Sequence, residues 1–145
     1  ELEFVQQYVR VESYLMGDDF HFNIDIAPDV DASSVRIPSM FIQIMTENSI
    51  KHALRNKEGI KLLSITVRHE HNNTVIRVTD NGPGFNPVTL RRKTGMNIIS
   101  QTIAVINLHN KDKIRFDIHN IYSSDGKQIK GCEAMLKVPD GVKIE

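Results

Sequence analysis

The chain has no tryptophan, one cysteine (Cys132), five prolines and an aromatic fraction of only 6%. A lone cysteine cannot close an internal disulfide, so packing and hydrogen bonding must hold the fold; a reducing compartment is compatible with that. No apolar run comes near the roughly 18 residues that a membrane span needs. The first residues, ELEFVQQYVR, carry two acids and no long apolar stretch, and do not read as a signal peptide. There is no net charge: 18 Lys and Arg stand against 18 Asp and Glu. A general nucleic-acid binder is expected to be clearly basic, so no nucleic-acid partner is expected here. Repeats, low-complexity tracts and interdomain linkers are also missing.

What is there is ordinary globular composition, 40% hydrophobic and 25% charged, in 145 residues, enough for one core. The neutral total hides an asymmetry, a net of −4 over residues 1–72 and +4 over 73–145. Arg91-Arg92-Lys93 is the clearest local excess. It follows a glycine-rich loop, so it reads either as a contact for an anionic ligand or as a solvated loop.

Hydrophobic periodicity sets out the elements. Phe4, Tyr8, Val11 and Leu15 form a helical stripe, widened by Leu2, Val5 and Val9. This pattern begins at the second residue with no capping box, so a piece of a longer chain is expected, its wide apolar face meeting a preceding segment. Gly17 and Asp18-Asp19 end the helix. Phe20, Phe22, Ile24 and Ile26 alternate with polar residues, a half-buried strand stopped by Pro28. Pro38 suits the first turn of a second helix, running to about Asn56. Strands follow around Leu63–Val67 and Val75–Asp80, joined as a hairpin at Asn72-Asn73. A loop over 81–94 leads to a third helix, Gly95–Leu108, with Met96, Ile99, Ile103 and Ile106 on one face. Ile114, Phe116 and Ile118 mark a fourth strand, and Ala134, Leu136 and Val138 a fifth, with Asp125-Gly126 as the turn between them. Four of five strands come as adjacent pairs, which argues for a mixed sheet with helices on one face and against a doubly wound parallel one.

Two segments carry chemistry. On helix 38–56, Glu47, Asn48, Lys51, His52 and Arg55 span an arc of about 140° at 100° per residue. A solvated face with a Glu47–Lys51 pair would explain that arc. The apolar residues Met40-Phe41-Ile42 and Ile44-Met45 place the helix start inside the protein, so the arc is expected to line a cleft. The second segment is Asp80-Asn81-Gly82-Pro83-Gly84-Phe85, directly after a strand. Gly82 and Gly84 allow backbone approach that side chains would block. The pattern is neither a dinucleotide fingerprint nor a P-loop. The helix start at Thr94-Gly95 is suited to phosphate oxygens.

Together these pieces resemble the ATP-binding catalytic domain of sensor histidine kinases, in the GHKL (HATPase) superfamily, closest to the LytS/YehU-like membrane sensor kinases. The resemblance runs over essentially the whole chain. Residues 1–16 resemble the helix continuing from an upstream dimerisation and phosphoacceptor segment, and residues 17–145 the ATP-binding domain. Pro38 to Leu54, with Gln43, Glu47-Asn48 and Lys51-His52-Ala53, resembles the N box. Asp80 to Phe85 resembles the G1 box, Thr94-Gly95-Met96 the end of the ATP lid and second glycine box, and Gly131 to Pro139 the closing strand. The implied fold is a two-layer α/β sandwich. The implied ligands are ATP and Mg²⁺. Asn48 would hold the metal, Glu47 would orient or deprotonate the nucleophile, and Lys51 and His52 would approach the phosphates. Asp80 would accept a hydrogen bond from the adenine amino group, which guanine cannot supply. Gly82 and Gly84 would let the loop pass over base and ribose, with Lys93, Thr94, Gly95 and Met96 near the phosphates. The implied setting is the cytoplasmic part of an inner-membrane sensor, homodimeric as a whole, that passes the phosphoryl group to a response regulator. This piece itself would not touch the membrane.

The sequence departs from the family's second glycine box. Lys93 stands where the first glycine is usual and Ile98 where an asparagine is; Thr102 replaces an arginine, and the closing strand begins Gly131-Cys132 in place of Gly-Thr. These changes bear on lid closure (residues 85–94) and rate more than on binding, and Lys93 would reach phosphate in compensation. None of the six histidines has the context of a phosphoacceptor, so the acceptor is expected upstream. Two other readings follow from the same residues: a GHKL ATPase that hydrolyses without an acceptor histidine, and a degenerate signalling module working through dimer contacts. A zinc site has only His69-x-His71 to support it.

Overall fold

A computed structural model describes residues 2–31, 33, 35–38, 40–85 and 94–144. Helix α1 (Leu2–Met16) leads into strand β1 (Phe20–Ile26); helix α2 (Phe41–Asn48) continues as a π-helical turn (Ser49–Leu54). Strands β2 (Lys61–Glu70) and β3 (Asn73–Asp80) follow, then helix α3 (Thr94–Leu108) and strands β4 (Arg115–Tyr122) and β5 (Ile129–Pro139). The sheet order is β1-β2-β3-β5-β4. β1 pairs parallel with β2 and every other pair is antiparallel, so the sheet is mixed, as the paired strands predicted.

One face of the sheet is the core. Leu63, Ile65, Val67, Ile76, Val78, Ala134, Leu136 and Val138 point to it and meet residues of all three helices in one cluster. Phe41 at the head of α2 packs edge-to-face on Phe116 of β4, ring centroids 5.5 Å apart. The other face carries polar pairs. Arg68 bonds Asp25 at 2.7 Å and Arg77 bonds Glu70 at 3.0 Å. The His119 ring nitrogens lie 2.9 and 3.1 Å from carboxylate oxygens of Asp117 and Glu133.

Helix α1 corrects one expectation. Its buried stripe is Val5, Val9, Glu12 and Met16, while Phe4, Val11 and Leu15 are 73%, 63% and 74% exposed. Both stripes have helical spacing. The inward one is masked in the sequence by Glu12, a charge that is buried because it is paired with Arg55. The hairpin also shifts by one residue. His71 and Asn72, at φ 49° and 64°, are the left-handed turn pair, and Asn73 already belongs to β3.

The register places a row of helix-facing residues at one end of the sheet. Asp80 of β3 stands opposite Cys132 of β5, which stands opposite Asn120 of β4. The next row inward is Val78, Ala134 and Ile118. Gly131 makes this end possible: a Cβ there would lie 2.0 Å from the Asp80 carbonyl oxygen. Gly131→Ala must therefore push β5 from β3. The expected loss is about 1–3 kcal/mol, the usual cost of overpacking, read as a lower urea midpoint with an unchanged m-value.

Candidate nucleotide site

Asp80 ends β3 and is 5% exposed. Its carboxylate accepts a hydrogen bond from the Gly82 backbone N–H at 2.9 Å, and the Ser49 hydroxyl and the Cys132 backbone N–H lie beside it as further donors that favour its charged form. Burial pushes its pKa above the ordinary aspartate value, and these three donors offset only part of the shift. Three separated elements therefore converge on one desolvated oxygen pair. The cavity above it has Met45, Ser49 and Ala53 on its helix side, and Val78, Ala134 and Ile118 as its floor. Gly84 and Phe85 bound it on the loop side, with Asn48, His52 and Cys132 completing the lining. The cavity is thus largely apolar with an acceptor at one end, the form of site that takes a flat heteroaromatic ring.

The glycine loop is built by side chains on both flanks. Asn81 accepts from the Leu62 N–H at 2.7 Å and donates to the Ile60 carbonyl at 2.9 Å, fixing the loop to the start of β2. Gly82 rests on α2: a Cβ there would lie 2.6 Å from that of Ala53. Gly84 has φ +85° and a Cβ would meet Asn120 and Ile129 at 2.7 Å. Asn120 holds Phe85 by both backbone groups, at 3.0 and 3.2 Å.

The polar arc of α2 is only partly as the 100° wheel predicted. After Asn48 the helix widens, and the Arg55 N–H bonds the Ile50 carbonyl five residues back at 2.9 Å. Such turns collect at functional sites. The wider turn carries Arg55 out of the arc to Glu12 of α1, at 2.8 Å. Glu47 accepts from Gln43 Nε2 at 2.8 Å, whereas the solvated-face reading would have paired it with Lys51. Asn48 and His52 line the cavity, and Lys51 is exposed on the same turn. The Asn48 amide nitrogen is buried with no hydrogen-bond partner among the described residues.

The remaining predicted positions divide. Gly95 lies against α2, where a Cβ would come 2.8 Å from Ile44 Cγ2, so close helix packing requires it. Met96 is 5% exposed and belongs to the core. Lys93, with Arg91 and Arg92, lies outside the described residues, as does most of the expected lid and the Thr94 side chain; the Thr94 backbone opens α3. His69 is paired with Asp140 at 2.9 Å and His71 sits on the hairpin turn, and no group able to hold a metal by three His, Cys, Asp or Glu side chains occurs among the described residues.

Sequence reasoning missed Ser49, Asn120 and the exact demand on Gly131. Ser49 had a signal, since Met45, Ser49 and Ala53 are four residues apart along α2. Asn120 had none, because its partner Phe85 is 35 residues away.

No family model matches the chain. It is 28% identical over 116 residues to the sensor histidine kinase YpdA of Escherichia coli, covering 80% of this chain and 20% of that protein. It is 30% identical over 102 residues to the sensor protein LytS of Staphylococcus haemolyticus, covering 70% of this chain and 17% of LytS. The chain thus spans about a fifth of the length of these curated relatives. Among solved structures, the catalytic domain of histidine kinase ThkA matches with a TM-score of 0.64 at 13% identity, covering 95% of this chain and 90% of that one. The mycobacterial sensor histidine kinase MprB matches with a TM-score of 0.58 at 14% identity, covering 94% and 91%. At those identities the structural likeness establishes the fold. In sequence and fold together, the chain belongs with the LytS, YpdA and BtsS sensor histidine kinases, as a domain with the histidine kinase catalytic-domain fold.

Proposed function

We propose that this chain is the ATP-binding catalytic domain of a two-component sensor histidine kinase. The observation that carries the reading is Asp80, a buried carboxylate facing an apolar cavity with Asn48 across from it on α2. An adenine ring fits that chemistry: its flat faces meet Val78, Ala134 and Ile118, and its amino group donates to Asp80. Guanine would present a carbonyl to the same carboxylate, and two acceptors would face each other.

The donor set also fits a magnesium nucleotide. Asn48 offers a neutral oxygen ligand of the kind Mg²⁺ takes, on an amide whose nitrogen has no hydrogen-bond partner among the described residues. Mg²⁺ held there supplies neutralisation of phosphate charge. Lys51 and His52, on the wide turn beside Asn48, contact the phosphates. Lys93 and the start of α3 at Thr94, Gly95 and Met96 would close the phosphate end, with the backbone as the donor and the Met96 side chain in the core. Glu47, oriented by Gln43, accepts the N–H proton of an incoming imidazole, so that the other ring nitrogen presents its lone pair to the γ-phosphorus. The new N–P bond replaces the P–O bond to the departing ADP. In this reading residues 1–16 continue from an upstream segment bearing the acceptor histidine. The whole sensor is a membrane-bound homodimer, and a response regulator aspartate receives the phosphoryl group. Among the described residues no helix is long and apolar enough to cross a membrane.

Calorimetric titration with a non-hydrolysable ATP analogue tests this. Binding in the micromolar to submillimolar range is expected, with none for the GTP analogue. Asp80→Asn should weaken it by about tenfold or more, the loss of one charge-assisted hydrogen bond of about 1.5–3 kcal/mol. Asn48→Ala should make binding less dependent on Mg²⁺. No binding by folded protein would leave the degenerate signalling module as the reading.

The pH dependence follows from the raised Asp80 pKa. Protonation removes the charged acceptor, so affinity should fall as pH drops through that raised value. Asp31 and Asp125, held below the ordinary range by Ser33 and Ser123, titrate at lower pH. The same charge opposes folding: the cost sets in as pH rises past the ordinary aspartate value and is complete above the raised one. A titration series by calorimetry should show this acid limb in the wild type and lose it in Asp80→Asn.

A further inference from the structure

Helix α1 is tied to the wide turn of α2 by one ion pair. Arg55 Nη2 donates to both carboxylate oxygens of Glu12, at 2.9 and 2.8 Å. The Glu12 side chain is only 10% exposed and the Arg55 side chain 41%. Arg55 also caps the wide turn through its backbone, where its N–H bonds the Ile50 carbonyl. One residue thus closes the turn with its main chain and holds α1 with its side chain. One turn earlier on α1 is Tyr8, packed against the core. Its hydroxyl pKa is pushed up to about 12, first by burial and then by the Glu12 and Glu47 carboxylates. Glu12 therefore faces the end of the segment that carries Asn48, Ser49, Lys51 and His52.

A charged pair is not the most stable way to dock a helix, since apolar residues of similar volume often serve as well or better. What it adds is direction: a buried carboxylate whose two oxygens share one guanidinium nitrogen limits where α1 can lie along α2. We propose that Glu12 and Arg55 are positioning residues that couple the placement of α1 to the shape of the wide turn Ser49–Leu54. Through that turn α1 governs the Ser49 bond to Asp80 and the presentation of Lys51 and His52. The consequence for ligand binding rests on the nucleotide-site reading; the coupling itself does not.

The test uses the whole chain with Arg55→Lys, Glu12→Gln and the reversed pair Glu12→Arg/Arg55→Glu. Arg55→Lys keeps the charge and loses the guanidinium geometry. Amide hydrogen exchange across 50–55 should quicken at least about fivefold in both single variants, with β2 and β3 unchanged, the mark of a local opening and not a global one. Affinity for the ATP analogue should fall about three- to tenfold, and the reversed pair should restore both readouts. Wild-type exchange across 50–55, or an equal rise in every segment, would overturn the proposal. If Glu12→Gln does not fold, the half-exposed Arg55→Lys decides alone. If the wild type binds no nucleotide, the nucleotide reading falls while the exchange pattern still settles the coupling.

Discussion

The buried Asp80 carboxylate is the constraint around which one end of the molecule is organised. A charged carboxylate taken out of water is costly unless donors replace its hydration. Here the donors come from the loop at Gly82, from Ser49 on α2 and from the Cys132 backbone on β5. Each donor imposes a condition. The Cys132 N–H reaches Asp80 only if β3 and β5 close in register, which Gly131 permits by having no side chain. The Gly82 N–H reaches it only if the loop lies against Ala53. Burial outweighs these donors and raises the pKa, and a carboxylate so placed is an acceptor that a ligand donor can use.

Helix α2 reconciles two demands that a regular helix would put in conflict. Its first half must bury Phe41, Ile42, Ile44 and Met45 in the core. Its second half must present Ser49 and Ala53 to the loop, leave Lys51 and His52 exposed, and still bury Ile50 and Leu54. The wide turn alters the angular phase between the halves and satisfies both. It needs an anchor at its end, and Arg55 supplies one through Glu12. The helical layer is thereby part of the site as well as its support.

The opposite end of the sheet shows the contrast. At the His71-Asn72 turn the backbone is satisfied locally, with Asn73 Nδ2 donating to the His71 carbonyl at 2.9 Å. Among the described residues no buried charge gathers there, and the neighbouring pairs such as His69 with Asp140 are solvent-exposed and contribute little each. The asymmetry between a locally satisfied end and a desolvated one marks where chemistry is placed.

Much of this was legible in the residues. Alternation identified β1 and the cores of β2 to β5, because a strand's faces repeat every second residue regardless of its neighbours. Asp80, Gly82, Gly84, Asn48 and His52 were legible as a group; the fold brings Asp80, Gly84, Asn48 and His52 to one cavity and sets Gly82 against Ala53 beside it. What failed depended on partners remote in the chain. The inward stripe of α1 was hidden because Glu12 reads as a surface residue until Arg55, 43 positions away, is seen against it. The wheel drawn on α2 assumed a constant turn, and the bond from Arg55 to Ile50 breaks that assumption. Gly95 has a packing role that the sequence did not reveal, since its missing side chain lets α3 approach Ile44. Local pattern determined which residues are strands, which loop needs glycine and which carboxylate follows β3, since those depend on covalent neighbours and backbone sterics. Tertiary structure alone decided that Asp80 is desolvated, that Ser49 and Asn120 serve the site, and that α1 is tied to α2, since burial and pairing are properties of segments far apart in the chain.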